Sequence, residues 1–174
     1  MMGISLTLAF LGPLVGSLAR PFGGRLADRF GGAIITVCAF AVMATIALTV
    51  VWTLPLGNFW LFLGLFLVLF TAAGAGNGAT YRMIPIIFAR RGAVGEAGEV
   101  RESVSTARKS AAALGLISAV GAYGGFLIPQ VLNASNSATG SYDNAFYGFV
   151  AGYVLMLAVT WFFYLRRSST VGKV

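Results

Sequence analysis

The sequence predicts an all-α, polytopic transmembrane fold of about five spans, and three observations carry that prediction. Hydrophobic residues make up 58% of the 174 and charged residues only 10%, where a soluble domain carries roughly a quarter; mean hydropathy is +0.86. Residues 1–19, 32–81, 110–142 and 144–165 contain no Asp, Glu, Lys or Arg, and crossing a hydrocarbon core of roughly 30 Å takes about 20 helical residues. No segment alternates apolar and polar over ten residues as barrel strands do, so the crossings are helices.

In chain order, the elements follow from where charges and turn formers fall. Span one covers about 2–22. It lacks a basic start, and its C-terminal flank is charged rather than a small-residue cleavage site, so it reads as a retained span and not a signal peptide. Spans two (33–54) and three (59–88) share one long uncharged stretch, broken at Leu54-Pro55-Leu56-Gly57-Asn58. The segment 89–110 is the most polar, mixing Arg90, Arg91, Arg101, Arg108 and Lys109 with Glu96, Glu99 and Glu102. Its second half, 99–109, reads equally as an amphipathic surface helix or a solvated linker. Span four covers 111–131. The outer connection Asn133 to Ser141 is rich in turn formers and is expected to be a mobile loop. Span five covers 144–165.

Ten of the twelve basic residues follow spans one, three and five: Arg25 and Arg29; Arg90, Arg91, Arg101, Arg108 and Lys109; Arg166, Arg167 and Lys173. The connections after spans two and four hold none. Alternation of this kind is the positive-inside pattern. It places the C-terminus in the cytoplasm, Met1 outside, and the chain in an inner (cell) membrane. The net charge of +7 therefore reflects topology and lipid, not a nucleic-acid partner.

Other chemistry is sparse. There is no His, and the single cysteine, Cys38, sits mid-span as a small packed residue. No metal-ligand cluster, cofactor motif or acid–base pair is present, so an enzyme is not expected.

Glycine is more informative. Gly12, Gly16, Arg20 and Gly24 recur at every fourth residue and are expected to share one face of span one. Gly74 and Gly78 are four apart on span three, with Asn77 between them. Span four separates Ser118, Gly121, Ala122 and Gly125 from Leu116, Val120, Tyr123 and Leu127. Small residues let helices approach closely in a membrane, so each stripe reads as plain packing or as the lining of a substrate path.

Arg20 is the leading candidate for binding. It lies inside span one, five residues before Arg25, and an intramembrane Arg costs at least about 2.5–3.5 kcal/mol, so it should face a polar cavity or a partner. Its planar fork of donors suits a flat oxyanion. The plainer alternative is that it snorkels to the cytoplasmic surface. Arg82, eight residues before Arg90, is a second intramembrane cation, for which snorkelling is as good a reading because Pro85 loosens the intervening helix. No Asp or Glu lies within a span. Tyr81 and Tyr123 remain as hydrogen-bond donors.

Between spans one and two stands Gly24-Arg25-Leu26-Ala27-Asp28-Arg29-Phe30-Gly31-Gly32. It resembles the cytoplasmic loop motif of the major facilitator superfamily, Gly-x-x-x-Asp-Arg-x-Gly, without the basic pair that usually follows. Gly24, Asp28, Arg29 and Gly31 are then gating residues, with Asp28 expected to cap a helix N-terminus and to pair with Arg25 or Arg29. The segment Phe10 to Gly24 is similar to the eighth span of the nitrate/nitrite porter family, Gly74 to Phe88 to its tenth, and Ala113 to Pro129 to its second nitrate-signature segment, on the eleventh. Nearly the whole chain is covered.

The resemblance implies a set of roles. Two arginines, one from each six-helix half, clamp the anion near mid-membrane, and the second matches Arg20. Gly115 and Ser118, and more weakly Gly121, match signature positions beside the site. Asn77, Arg82 and Tyr123 are expected along the pathway. Nitrate and nitrite are the implied substrates, carried by exchange or by proton symport, and the absence of intramembrane carboxylates favours exchange. The family has twelve spans, of which this chain matches eight to twelve. The chain is thus expected to be a C-terminal portion, with the N-terminal half absent or supplied as a separate chain. A transporter of another small anion and a truncated, non-transporting scaffold or regulatory subunit are the alternatives.

Overall fold

The computed structural model describes residues 8, 10–93 and 99–165, and for 90–93 and 99–104 the backbone alone. The chain is all-α among these residues. Helix α1 runs over Leu11–Phe30 and α2 over Gly32–Thr53, followed by a 3-10 turn at Leu54–Leu56. Helix α3 covers Phe59–Ala93, α4 Glu99–Thr139 and α5 Asp143–Thr160, which ends in a π-helical turn at Trp161–Leu165. Among the described residues four stretches are long and apolar enough to cross a membrane: Gly32–Leu56, Phe59–Ala89, Ser105–Thr139 and Asp143–Leu165. Helix α1 differs because Arg20, Arg25, Asp28 and Arg29 all lie within it. The chain is a multi-pass membrane protein.

Glycines set the helix ends. Gly31 has φ 93°, a value side-chain-bearing residues rarely adopt, and it is the whole junction between α1 and α2. Its N–H still donates to the Ala27 carbonyl at 2.9 Å. The expected break at 54–58 is built from two pieces. Gly57 turns at φ 61°, and Asn58 Oδ1 accepts from the N–H groups of Trp60 (3.1 Å) and Leu61 (3.2 Å), capping α3.

Three expectations about boundaries change. Helix α1 continues eight residues past 22 to Phe30, carrying the charged motif inside a helix. The segment 99–109 is helical and continuous with span four. The connection 133–141 is a loop only from Gly140, where φ is 69°. Between Leu132 and Thr139 there is no Gly or Pro, so extending an established helix costs less than breaking it. The Ser and Thr hydroxyls then donate along the helix end: Ser135 to the Ser141 carbonyl (2.9 Å) and Thr139 to that of Ser135 (2.9 Å). Ser141 Oγ accepts from the Asp143 N–H at 3.1 Å, giving the first N–H of α5 a partner. Arg166, Arg167 and Lys173, which contribute to the topology assignment, and Glu96 of the polar segment lie outside the described residues.

The most extensive packing is α1 on α3, then α2 on α3 and α2 on α5; α4 touches α3 lightly and α5 least. The buried residues are mostly small, among them Ala19, Ala27, Ala33, Ala47 and Ala79, with Val50 fully enclosed. At the α1–α3 crossing the backbones themselves meet. A Cβ on Gly74 would strike the Gly16 carbonyl oxygen, one on Gly78 that of Arg20, and one on Gly23 that of Ala75. Helices α2 and α3 add a polar contact, the hydroxyls of Thr36 and Thr80 lying 3.3 Å apart.

Candidate functional site

The buried line on α1 is Gly12, Gly16, Ala19, Gly23 and Ala27, not the four-residue repeat through Arg20 and Gly24. The reason is geometric. At about 100° per residue, a spacing of four drifts about 40° at each step. By Arg20 the stripe has left the centre of the contact, so Arg20 lies exposed at its edge rather than pointing into the bundle.

That edge position places Arg20 between two clefts. One, of about 690 Å³, runs between α1 and α3 and is lined by Arg20, Arg25, Asp28, Gly78, Tyr81 and Arg82, among others. The other, of about 260 Å³, lies further towards the N-terminal ends of both helices and is lined by Arg20 with Ser17, Phe70 and Asn77. The close crossing creates this arrangement. With glycine at 74 and 78, the two parallel helices sit near enough for arms from both to reach one space.

Three cations and one carboxylate share the larger cleft. Arg82 Nε donates to Asp28 Oδ1 at 2.7 Å, and among the described residues this is the ion pair the structure forms. The expected partners of Asp28 do otherwise: Arg25 lies 5.9 Å from the Phe22 ring centroid and Arg29 5.4 Å from that of Phe30. Long helical side chains lean back towards the N-terminus, so Arg25, three residues before Asp28, leans away from it. Arg82, on the neighbouring helix, has no such constraint. The pairing was recoverable from sequence by elimination, because Asp28 is the sole acidic residue between 1 and 95 and an intramembrane Arg needs a counter-charge.

The span-four residues divide. Ser118 is brought to the site: its Oγ lies 2.5 Å from the Tyr81 hydroxyl, linking α4 to the wall of the Arg20 cleft. Gly115, Gly121 and Tyr123 are not brought there. Among the described residues nothing lies within 4 Å of a Cβ built on Gly115 or Gly121, and Tyr123 is 68% exposed. Of the residues expected to form a gate, Gly24 and Asp28 line the main cleft and Gly31 a further pocket of about 200 Å³ behind the ion pair. Arg29 lines none of these three spaces. Sequence reasoning missed Phe70, whose ring lies 3.1 Å from a Cβ built on Gly12 and 3.3 Å from one on Gly16. Among the described residues no group of three or more His, Cys, Asp or Glu could hold a metal ion.

The arrangement offers fixed positive charge, a tyrosine hydroxyl and an amide beside a cleft in apolar surroundings, which suits a small monovalent oxyanion. No family model matches the chain. It is 40% identical to the nitrate/nitrite transporter NarU of Escherichia coli, over 93% of this chain and 37% of that protein. Against NarU of Salmonella typhimurium the figures are 41%, 93% and 37%. Against the probable nitrate/nitrite antiporter NarK2 of Thermus thermophilus they are 35%, 94% and 34%. The chain thus spans little more than a third of the length of these relatives, all of which are transporters and not enzymes.

Proposed function

We propose that this chain, a homologue of the nitrate/nitrite porters, is the C-terminal portion of such a transporter and supplies one arm of its anion clamp through Arg20. The observation that carries the reading is the position of Arg20, an always-charged fork at the junction of two clefts between α1 and α3. Its planar guanidinium matches the planar oxygens of nitrate or nitrite. Asn77 and Arg82 extend the path on α3, and Ser118 lies beside the site on α4. Gly115, Gly121 and Tyr123, which no described residue draws to the cleft, would join the path only against the opposing half of the transporter. Gly24, Asp28, Arg29 and Gly31 form the gate at the cytoplasmic end.

The remainder of the transporter, whether continuous with this sequence or a separate N-terminal chain, contributes the opposing arm. Alternating access then moves one half against the other around the anion. No carboxylate lies within residues 32–81 or 110–142, which favours exchange of one anion for another over proton symport. The membrane is the inner (cell) membrane, with the C-terminus cytoplasmic.

Nitrate binding to the detergent-solubilised chain tests the site. Arg20→Gln removes a charge-assisted contact worth about 1.5–3 kcal/mol, so affinity should fall about 10- to 100-fold; unchanged affinity would refute the assignment. Competition with nitrite and chloride measures selectivity, and preference for chloride would move the reading to another small anion. Liposomes containing only these 174 residues should take up no nitrate, since half a clamp has nothing to rock against.

A further inference from the structure

We propose that Asp28 is a tethered competitor for the transported anion: it occupies Arg82 until an incoming oxyanion takes its place and recruits Arg82 alongside Arg20. The inference rests on the preceding reading that the Arg20 cleft holds a small oxyanion. It adds a second binding arginine from within this chain and a way of keeping it closed.

The carboxylate of Asp28 is a planar O–C–O group of charge −1, close in size and geometry to the O–N–O of nitrite and to two of the three oxygens of nitrate. Its 2.7 Å bond to Arg82 Nε is therefore the chain's own demonstration of what Arg82 takes at this position. The residue lining the same cleft that has no such occupant is Arg20: among the described residues it has no ion pair, while Arg25 is turned onto Phe22.

Reach comes next. Gly78 meets the backbone of Arg20, so those two residues are level on their helices. Arg82 is one turn further along α3, about 6 Å by the helical rise. An arginine arm covers that distance, so a single anion beside Arg20 lies within the sweep of Arg82.

The latch must also open. The side chains of Arg82 and Asp28 are 60% and 46% exposed, and an ion pair open on one side contributes little and is screened by salt. Once displaced, Asp28 has somewhere to go. The pocket of about 200 Å³ behind the pair is lined by Asp28, Arg82, Gly31 and Gly32, the last two forming the start of α2, where no side chain caps the helix. An uncapped helix N-terminus favours negative charge.

Titrating nitrate calorimetrically into the solubilised chain tests the latch. Asp28→Asn removes the competitor and frees Arg82, so the nitrate Kd should tighten about threefold to tenfold. Adding Arg82→Gln to that variant should remove the gain. Arg82→Gln alone, which leaves the Asp28 charge facing the cleft without its partner, should weaken binding at least about threefold; this variant carries the test should Asp28→Asn loosen the α1–α3 pair. Asp28→Asn binding no tighter than wild type, a gain that survives Arg82→Gln, or unchanged binding in Arg82→Gln each overturns the proposal. The outcomes separate this idea from its premise. If Arg20→Gln binds nitrate as well as wild type, the anion-site reading itself has failed, whatever Asp28 does; if only Arg20→Gln weakens binding, the site stands and the latch does not.

Discussion

The α1–α3 crossing and the middle of α4 are built from the same kind of sequence and behave in opposite ways. Both present small residues at helical spacing: Gly16, Gly23, Gly74 and Gly78 in one case, Gly115, Ser118, Gly121 and Gly125 in the other. In the crossing, every one of those glycines is spent on a neighbour, backbone against backbone. Along α4, Gly115, Gly121 and Gly125 meet nothing among the described residues, and Leu116 on the other face is as exposed as Tyr123, at 68%. A small-residue stripe therefore states that something approaches closely without saying what. In the crossing the partner is within the chain, and the Arg20 cleft is a by-product of the approach. In α4 the hydroxyl pair between Ser118 and Tyr81 is the polar link of that stripe to the rest of the fold. The relatives are far longer than this chain, and under the proposed function the open face of α4 would meet the remainder of the transporter.

The contrast can be broken by substitution. Gly74→Val forces α3 off the Gly16 carbonyl and should cost about 3 kcal/mol, read as a large loss of thermal stability in detergent. Gly121→Val, a matching change in open space, should stay within about 0.5 kcal/mol; equal losses would erase the distinction. Phe70→Ala should come next, at about 2 kcal/mol, because the ring fills the shallow space over Gly12 and Gly16. Thr36→Val removes the hydroxyl contact to Thr80 and should cost about 0.6 kcal/mol, near the mean for interhelical hydrogen bonds in membranes. The smallest effect on stability should be that of Ser118→Ala, yet it should broaden the α3–α4 distance distribution between spin labels while leaving α1–α3 distances unmoved. Broadening of both would mean that α4 braces the crossing after all.

Much of the fold was legible because a membrane leaves few choices. Long uncharged runs must be helices, and the Pro-Gly-Asn break at 55–58 marked a turn that Gly57 and Asn58 do make. The ends of α1 and α4 were not legible from hydropathy, since a helix outside hydrocarbon carries charge freely and stops at a glycine such as Gly31 or Gly140. The site was legible in composition and not in direction. Arg20, Asp28 and Arg82 were each singled out, but a repeat of four hid the drift that turns Arg20 to the cleft edge. The Asp28–Arg82 and Tyr81–Ser118 contacts join residues far apart in sequence. No periodicity within one helix reports on such a pair.

The junction at Gly31 has a mechanical meaning as well. One residue, at φ 93° and ψ 134°, is all that separates α1 from α2, so two torsions fix the angle of the elbow and there is no slack to absorb motion. Under the proposed function, any tilt of α1 as an anion enters or leaves the cleft would swing α2 as a lever arm. Since α2 packs on α5, such a movement at Arg20 would reach the far side of the bundle without passing through α4.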